Sequence, residues 1–280
     1  MSKATPPDRD RELETVTSAD GTEIAFKRTG SGPPLVLVHG AFLDLRMWDL
    51  FDVHPTLAED ATVYAIDRRA RGGSGDAKEY DLEREFDDIA AVVESIDEPV
   101  TLLGQSTGGF YTLEAALRTD NLSGLVLYEP LVPFNDERGY KGPSEETLAE
   151  LTSLLEAGEI EQAFISNWKK NAHWSSEEVD ALRSAPMWQE YVERFPTLLP
   201  RVVKILDYSF DPERFAHLTV PTLLLAGSES PEWAHETTEA LDDALSNTRV
   251  VTFDGHRHMA MFTAPDRFID EVLAFVREVN

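Results

Sequence analysis

Six short runs of apolar, often β-branched residues recur along the chain and end in turn or polar residues. They are "PPLVLVHG" (33–40), "ATVYAID" (61–67), "VTLLGQS" (100–106), "LSGLVLYEP" (122–130), "VPTLLLAG" (220–227) and "TRVVTFDG" (248–255). The first two, short and continuous, suit strands buried on both faces, and the others read as further strands. Stretches of helical spacing lie between them. In "YDLEREFDDIAAVVESI", Leu82, Phe86, Ile89, Val92, Val93 and Ile96 fall near one face of a helix. "GFYTLEAALRT", "EWAHETTEALDDALS" and "PDRFIDEVLAFVREV" follow later strands in the same way. Strand and helix in alternation imply an α/β fold with a mostly parallel, doubly wound sheet. Two earlier stretches, "ELETVTSADG" and "TEIAFKRTG", alternate apolar and polar around Asp20–Gly21 and read as a β-hairpin. The expected sheet has about eight strands.

The alternation stops after Glu129 and resumes at Val220. The interval is too long for a structureless loop. Its content is helical: "SEETLAELTSLLEAG", "EIEQAFISNWKKNAH", "PMWQEYVERF" and "LLPRVVKILDYSF". We expect residues 131–218 to form a helical cap inserted into a core made of residues 1–130 and 219–280. The cap would cover the carboxyl edge of the sheet, where open α/β sheets bind ligands. Trp168, Trp174, Trp188, Tyr191 and Phe195 fall in it, mainly as cap core, each also a candidate to line a substrate pocket.

Composition removes several chemistries. The chain has no cysteine, which excludes disulfides, thiolate metal sites and a cysteine nucleophile. No run approaches the roughly 18 apolar residues of a membrane span. The opening "MSKATPPDRDRELE" is charged, bears prolines and has no apolar signal region. It reads as a short disordered lead on a cytoplasmic protein. Aspartate and glutamate number 52 against 25 lysines and arginines, a formal net charge of −27. Such a surface repels nucleic acid and anionic membranes and leaves a small molecule as the expected partner. Monomer and homodimer both stay open.

Gly104-Gln105-Ser106-Thr107-Gly108 has the form G-x-S-x-G, placed after an expected strand and before an expected helix. A nucleophile at such a junction makes a sharp turn, so its neighbours must be small. The turn lifts the serine oxygen above the sheet and aims the next amide, that of Thr107, at a bound carbonyl oxygen.

At these residues the chain resembles the α/β-hydrolase family, over nearly its whole length. "LVLVHGAFLDLRMW" is similar to the family's His-Gly loop and "AIDRRARGGSG" to its turn after strand four. "LLGQSTGG" matches the nucleophile elbow, and "FDGHRHMAMFTAP" is similar to the catalytic-histidine loop. The resemblance implies that the amide of Ala41 joins that of Thr107 as the oxyanion hole. It gives His39, Asp67, Arg68 and Arg71 structural roles in the surrounding loops. It selects His258 as base, because the family's histidine commonly precedes, by a few positions, the proline that opens the last helix, here Pro265. His256 is the alternative.

The acid departs from the common pattern. Where the family often has an aspartate after the strand "PTLLLAG", this chain has Ser230; Glu229 comes one place early, and Glu232 is suited to opening a helix. The family's other placement is the end of the preceding strand, where Glu129 stands in "LVLYEP". A carboxylate ending a buried strand needs a partner, and an imidazole N–H supplies one. The expected triad is Ser106, His258 and Glu129, with Glu229 as the alternative acid.

The implied activity is hydrolysis of a small or medium carboxylic ester through an acyl-enzyme. Thioester, lactone and carbon–carbon bond hydrolysis stay open, as does perhydrolysis, since "STGG" is similar to cofactor-free haloperoxidase-like esterases. A slow or non-catalytic ligand-binding receptor of this fold is the reading from another class. Serine in place of an aspartate nucleophile argues against dehalogenase and epoxide hydrolase chemistry. No organic cofactor and no metal is expected, because His256 and His258 lack companion ligands at convincing spacing.

The acids are spread through the chain rather than gathered in a tail, which reads as adaptation to a high-salt cytoplasm. Self-repulsion should be relieved as the Debye length falls from about 10 Å at 0.1 M to about 3 Å at 1 M salt. The melting temperature should therefore rise as KCl goes from tenths of molar to molar. A flat or falling curve over that range removes the high-salt reading.

Overall fold

The computed structural model describes residues 13–134 and 138–280. The expected disordered lead lies, but for its last two residues, outside them. Strand β1 (Glu14–Thr17) pairs antiparallel with β2 (Glu23–Gly30) across the Asp20–Gly21 turn. There the Thr22 N–H donates to Asp20 Oδ1 at 3.0 Å and Gly21 takes φ +86°. The remaining strands are β3 (Pro34–Val38), β4 (Thr62–Ile66), β5 (Val100–Gln105), β6 (Leu122–Tyr128), β7 (Thr222–Gly227) and β8 (Thr248–Phe253). They form one eight-stranded sheet in the order β1-β2-β4-β3-β5-β6-β7-β8. The pairs from β4 through β8 are parallel, and β2 joins β4 antiparallel. Every residue of β3, β4, β5 and β7 is buried, as their continuous apolar runs require.

Helices α1 (Val53–Asp60), α2 (Leu82–Glu94) and α3 (Thr107–Ala115) connect the strands in turn. Helix α2 starts where Asp81 accepts the Glu83 N–H, and it buries Phe86, Ile89, Val92 and Val93 along one face. The sequence pattern raises no expectation of α1. A parallel β3–β4 pair nevertheless needs a crossover. The crossover runs through short 3₁₀ turns over Leu45–Asp52 and a kink where Phe51 and Asp52 take φ +54° and +57°. That kink breaks the helical period, although Trp48, Val53 and Leu57 are fully buried.

Between β6 and β7 lie α4 (Glu145–Glu156), α5 (Ile160–Lys170), α6 (Ser176–Arg183) and α7 (Trp188–Val203). The segments "PMWQEYVERF" and "LLPRVV" form one helix, α7, which runs through Pro196 and Pro200. An interior proline costs about 3 kcal/mol. The helix survives because Trp188, Tyr191, Val192, Phe195, Leu198 and Val202 form one buried stripe, and burial of each such side chain is worth about 1.5–3 kcal/mol. Helices α8 (Glu232–Ala244), α9 (Ala260–Thr263) and α10 (Pro265–Val279) complete the fold, with Glu232 opening α8 and Pro265 opening α10. Among the described residues no helix is long and apolar enough to cross a membrane.

A buried polar knot sits under the ends of β3 and β4. Asp67 accepts the N–H groups of Leu45 (2.9 Å) and Gly73 (2.7 Å), and burial pushes its carboxyl up to about 6. Arg69 is matched by Asp88 (2.6 Å) and Asp20 (3.0 Å). His39 is fully buried; its Nδ1 faces the Gly40 carbonyl at 2.9 Å and its Nε2 accepts the Arg68 N–H at 3.2 Å. With Nε2 accepting, the proton belongs on Nδ1 and the ring is neutral. Burial, reinforced by the charges of Arg68 and Arg71, pushes its pKa down to about 3.

That depression fixes a sign. An unfolded histidine binds its proton near pH 6.5, whereas His39 in the fold does so only near 3. Its contribution to stability is full above pH 6.5 and is lost as pH falls toward 3. His39→Gln, whose amide can make both hydrogen bonds, should flatten the stability slope between pH 6.5 and 4 by about 1.4 kcal/mol per pH unit. Asp67 acts in the opposite sense, favouring the fold at low pH and losing that contribution as pH rises through about 6. It is common to both proteins and cancels. Urea titrations at several pH values read the difference, and equal slopes would refute the assignment.

Candidate active site

The chain leaves β3 on one side to form β4 and returns to the other side to form β5. The ends of β3 and β5 therefore flank a topological switch point, where open α/β sheets bind ligands. Ser106 follows β5 directly and takes φ +56°, ψ −123°. Such a backbone costs a non-glycine residue about 1–3 kcal/mol and persists only where its surroundings hold it. Here the Ser106 N–H donates to the Tyr128 carbonyl at 2.9 Å, and its own carbonyl accepts from Phe110 (3.2 Å) and Leu131 (3.0 Å). A Cβ on Gly104 would lie 2.4 Å from Thr112 Oγ1, and one on Gly108 would lie 2.4 Å from the His39 carbonyl oxygen. Both glycines are thus required by close approach. Thr107 opens α3, so its amide has no partner within the helix.

Glu129 follows β6 at φ +40° and is fully buried. Its Oε2 lies 2.6 Å from His258 Nδ1. Its Oε1 accepts the Gly227 N–H at 2.7 Å and the Ser230 hydroxyl at 2.5 Å. Ser230 is the position where the resemblance leads one to look for an aspartate; in this chain it supplies a hydroxyl to the carboxylate instead. Glu229 is exposed, and its N–H donates to the His256 carbonyl. His256 is half-buried, with Nδ1 at 2.9 Å from Thr263 Oγ1. The structure thus brings Glu129 and His258 together and leaves Glu229 and His256 outside that pair.

Gln105 extends the arrangement in a way the motif does not announce, because it is the unspecified x before the serine. Its Nε2 lies 3.2 Å from His258 Nε2. With the Nδ1 proton directed to Glu129, Nε2 of a neutral His258 is the acceptor, so the amide donates to it. The ring of Trp233 stands 5.6 Å from that of His258.

The His-Gly loop closes the other side. A Cβ on Gly40 would lie 2.3 Å from Gln105 Oε1 and 3.3 Å from Ser106 Cβ, so the loop rests against the elbow. Ala41 is buried, and Phe42 takes φ +64°, strained for a large side chain. Rings of Phe164, Trp168 and Phe195 surround Phe42 at 6.1, 5.7 and 5.0 Å, all edge to face. Two residues on, the buried Asp44 accepts from Tyr191 Oη (2.9 Å), Arg194 (3.0 Å) and Arg46 (2.6 Å). Tyr191 and Phe195 of α7 thus hold the loop. Trp168 packs on Trp174 at 4.2 Å, and Trp188 Nε1 donates to Glu161 at 3.1 Å. Among the described residues no group of three or more histidine, aspartate or glutamate side chains is placed to hold a metal ion.

Comparison with known proteins agrees with this architecture. Residues 35–271 match the model of the alpha/beta hydrolase family. A solved alpha/beta hydrolase from Sphaerobacter thermophilus is 33% identical, covers 94% of this chain and 99% of its own, and superposes with a TM-score of 0.77. A pimeloyl-[acyl-carrier protein] methyl ester esterase from Aeromonas hydrophila is 24% identical over 90% of this chain and 99% of its own length. A non-heme chloroperoxidase from Streptomyces lividans is 25% identical over 95% of this chain and 100% of its own. With the family model spanning most of its length, the chain belongs to the alpha/beta hydrolase family.

Proposed function

We propose that the chain is a serine hydrolase of a small or medium carboxylic ester, with Ser106 as nucleophile, His258 as base and Glu129 as acid. One observation carries the reading: a buried carboxylate, held by two further donors, lies 2.6 Å from the imidazole of the expected base. That imidazole is hydrogen-bonded to Gln105, the residue beside Ser106. The methyl ester esterase among the relatives supports ester chemistry, and the chloroperoxidase keeps perhydrolysis as a further arm of the test.

In this reading Ser106 Oγ attacks the acyl carbon while His258 Nε2 takes its proton. The Gln105 amide gives up its place at Nε2 as the serine hydroxyl takes it. Glu129 holds the Nδ1 proton and stabilises the imidazolium. The amides of Ala41 and Thr107 receive the oxyanion. The imidazolium returns the proton to the leaving alcohol, leaving an acyl-serine. Water, deprotonated by the same histidine, then releases the acid and restores Ser106. Residues 131–218 act as the cap, and Phe164, Trp168 and Phe195 form an apolar wall around Phe42 that excludes water.

A fluorophosphonate probe should label the native protein in high salt and fail on Ser106→Ala. Glu129→Gln should lower kcat by about 10³–10⁴-fold with the fold intact, because it misplaces the imidazole proton. Glu229→Gln should stay within about twofold of native. The reverse pattern moves the acid to Glu229, and absence of labelling refutes the hydrolase. A panel of esters, thioesters, lactones, diketones and peracid formation assigns the bond cleaved.

A further inference from the structure

We propose that Arg68 is a positioning residue for the oxyanion site, one guanidinium nitrogen aligning both peptides that would hold the developing negative charge. The inference rests on the serine-hydrolase reading and names the group that shapes its electrostatics.

Arg68 is 1% exposed. Its Nη1 lies 3.2 Å from the Gly40 carbonyl oxygen, 3.4 Å from that of His39 and 3.2 Å from Thr107 Oγ1. Its Nε and Nη2 bond both oxygens of Glu85 at 3.0 Å, and its guanidinium carbon sits 4.2 Å above the Tyr111 ring. A fork locked by a bidentate carboxylate and a ring face has little freedom left. The Gly40 carbonyl is thus fixed by two donors, Arg68 and His39 Nδ1. The Gly40–Ala41 peptide is trans and planar, so its C=O and N–H point in opposite directions. Holding the carbonyl on Arg68 aims the Ala41 N–H away from it. The same Nη1 anchors the side chain of Thr107, whose amide is the second proposed donor.

Charge adds a second, independent argument. Arg71 also reaches Glu85, at 3.3 Å, and all three side chains are about 1% exposed. Among the described residues two cations therefore share one carboxylate behind the loop. Arg69 next door has two carboxylates, Asp88 and Asp20. Burying an under-compensated cation is expensive. A negative charge that forms nearby, as an oxyanion in this site would, offsets that cost.

The test uses full-length Arg68→Met and Arg68→Lys with a chromogenic ester. Active sites are counted by fluorophosphonate titration, and a trifluoromethyl ketone serves as the probe of tetrahedral adducts. Loss of alignment should lower kcat per titrated site about 10–100-fold in Arg68→Met, with KM changed less than about threefold. Affinity for the ketone should weaken by the same factor as kcat/KM. Arg68→Lys, which keeps the charge without the fork, should fall between. A residue that only supports the fold would lower the melting temperature and the titrated fraction and leave kcat per site unchanged. That result, within twofold of native, overturns the proposal. If Arg68→Met does not fold, Arg68→Lys decides by the same criterion. A native protein that is not labelled refutes the hydrolase reading itself and this inference with it; a labelled native protein beside an unaffected variant refutes the inference alone.

Discussion

The turn from β5 into α3 is the constraint on which the rest of the arrangement depends. A single residue, Ser106, reverses a buried strand into a helix at φ +56°. That geometry brings α3 so close to β3 that a Cβ on Gly108 would lie 2.4 Å from the His39 carbonyl. The end of β3 is thereby pressed against the elbow, and the His-Gly loop has nowhere else to run. The strain is offset by three backbone hydrogen bonds at Ser106, two of them from α3 and the segment after β6 and one to β6 itself. The proposed nucleophile, the proposed oxyanion loop and the strand before the proposed acid are consequently one packed unit.

The same loop is held from above. Phe42 and Asp44 sit on either side of Leu43, one gripped by rings and the other by Tyr191, Arg194 and Arg46. Further cation–carboxylate contacts join α7 to the turn after β4, through Arg201 and Asp76, and the segment before β7 to α3, through Arg214 and Glu114. In a chain of net charge −27, each arginine so placed removes a local excess of acid as well as making a contact. Exposed pairs such as Arg46–Glu190 are worth about 0–1 kcal/mol. The buried Asp44 counts for more, since removing its partners would leave a carboxylate with no water to solvate it.

Much of this was legible in residue order. Continuous apolar runs gave the central parallel strands because strands buried on both faces cannot alternate; the edge strand β8 is largely exposed. The small residues around Ser106 gave the elbow because nothing larger fits. The pairing of Glu129 with His258 was legible because a carboxylate ending a buried strand needs a partner. Other features were hidden for equally physical reasons. Helix α1 was masked by the left-handed kink at Phe51 and Asp52. The continuity of α7 was masked by two prolines whose cost is outweighed by a buried stripe that only tertiary packing creates. Gln105 and Ser230 act through contacts made across 153 and 101 residues of chain, which no local spacing records. Arg68 reads as one arginine among three in "DRRARGG", and only the structure separates the one facing Gly40 and Thr107 from its neighbours.

The position of the proposed acid has a consequence for rigidity. A carboxylate on the loop after β7 would reach the histidine from a segment that leaves the sheet. Glu129 instead follows β6, the strand that is hydrogen-bonded to β5 along its length. The Ser106 N–H bonds to Tyr128, and the Glu129 N–H bonds to Leu225 at 3.0 Å. Proposed nucleophile and acid are thus fixed by two neighbouring ladders that share β6. The end of β7 and the loop after it keep a smaller task, with the Gly227 N–H and the Ser230 hydroxyl occupying Oε1 so that Oε2 alone faces His258. A longer side chain on a stiffer base reaches the same nitrogen, and the hydroxyl left behind restrains that side chain's extra rotatable bond.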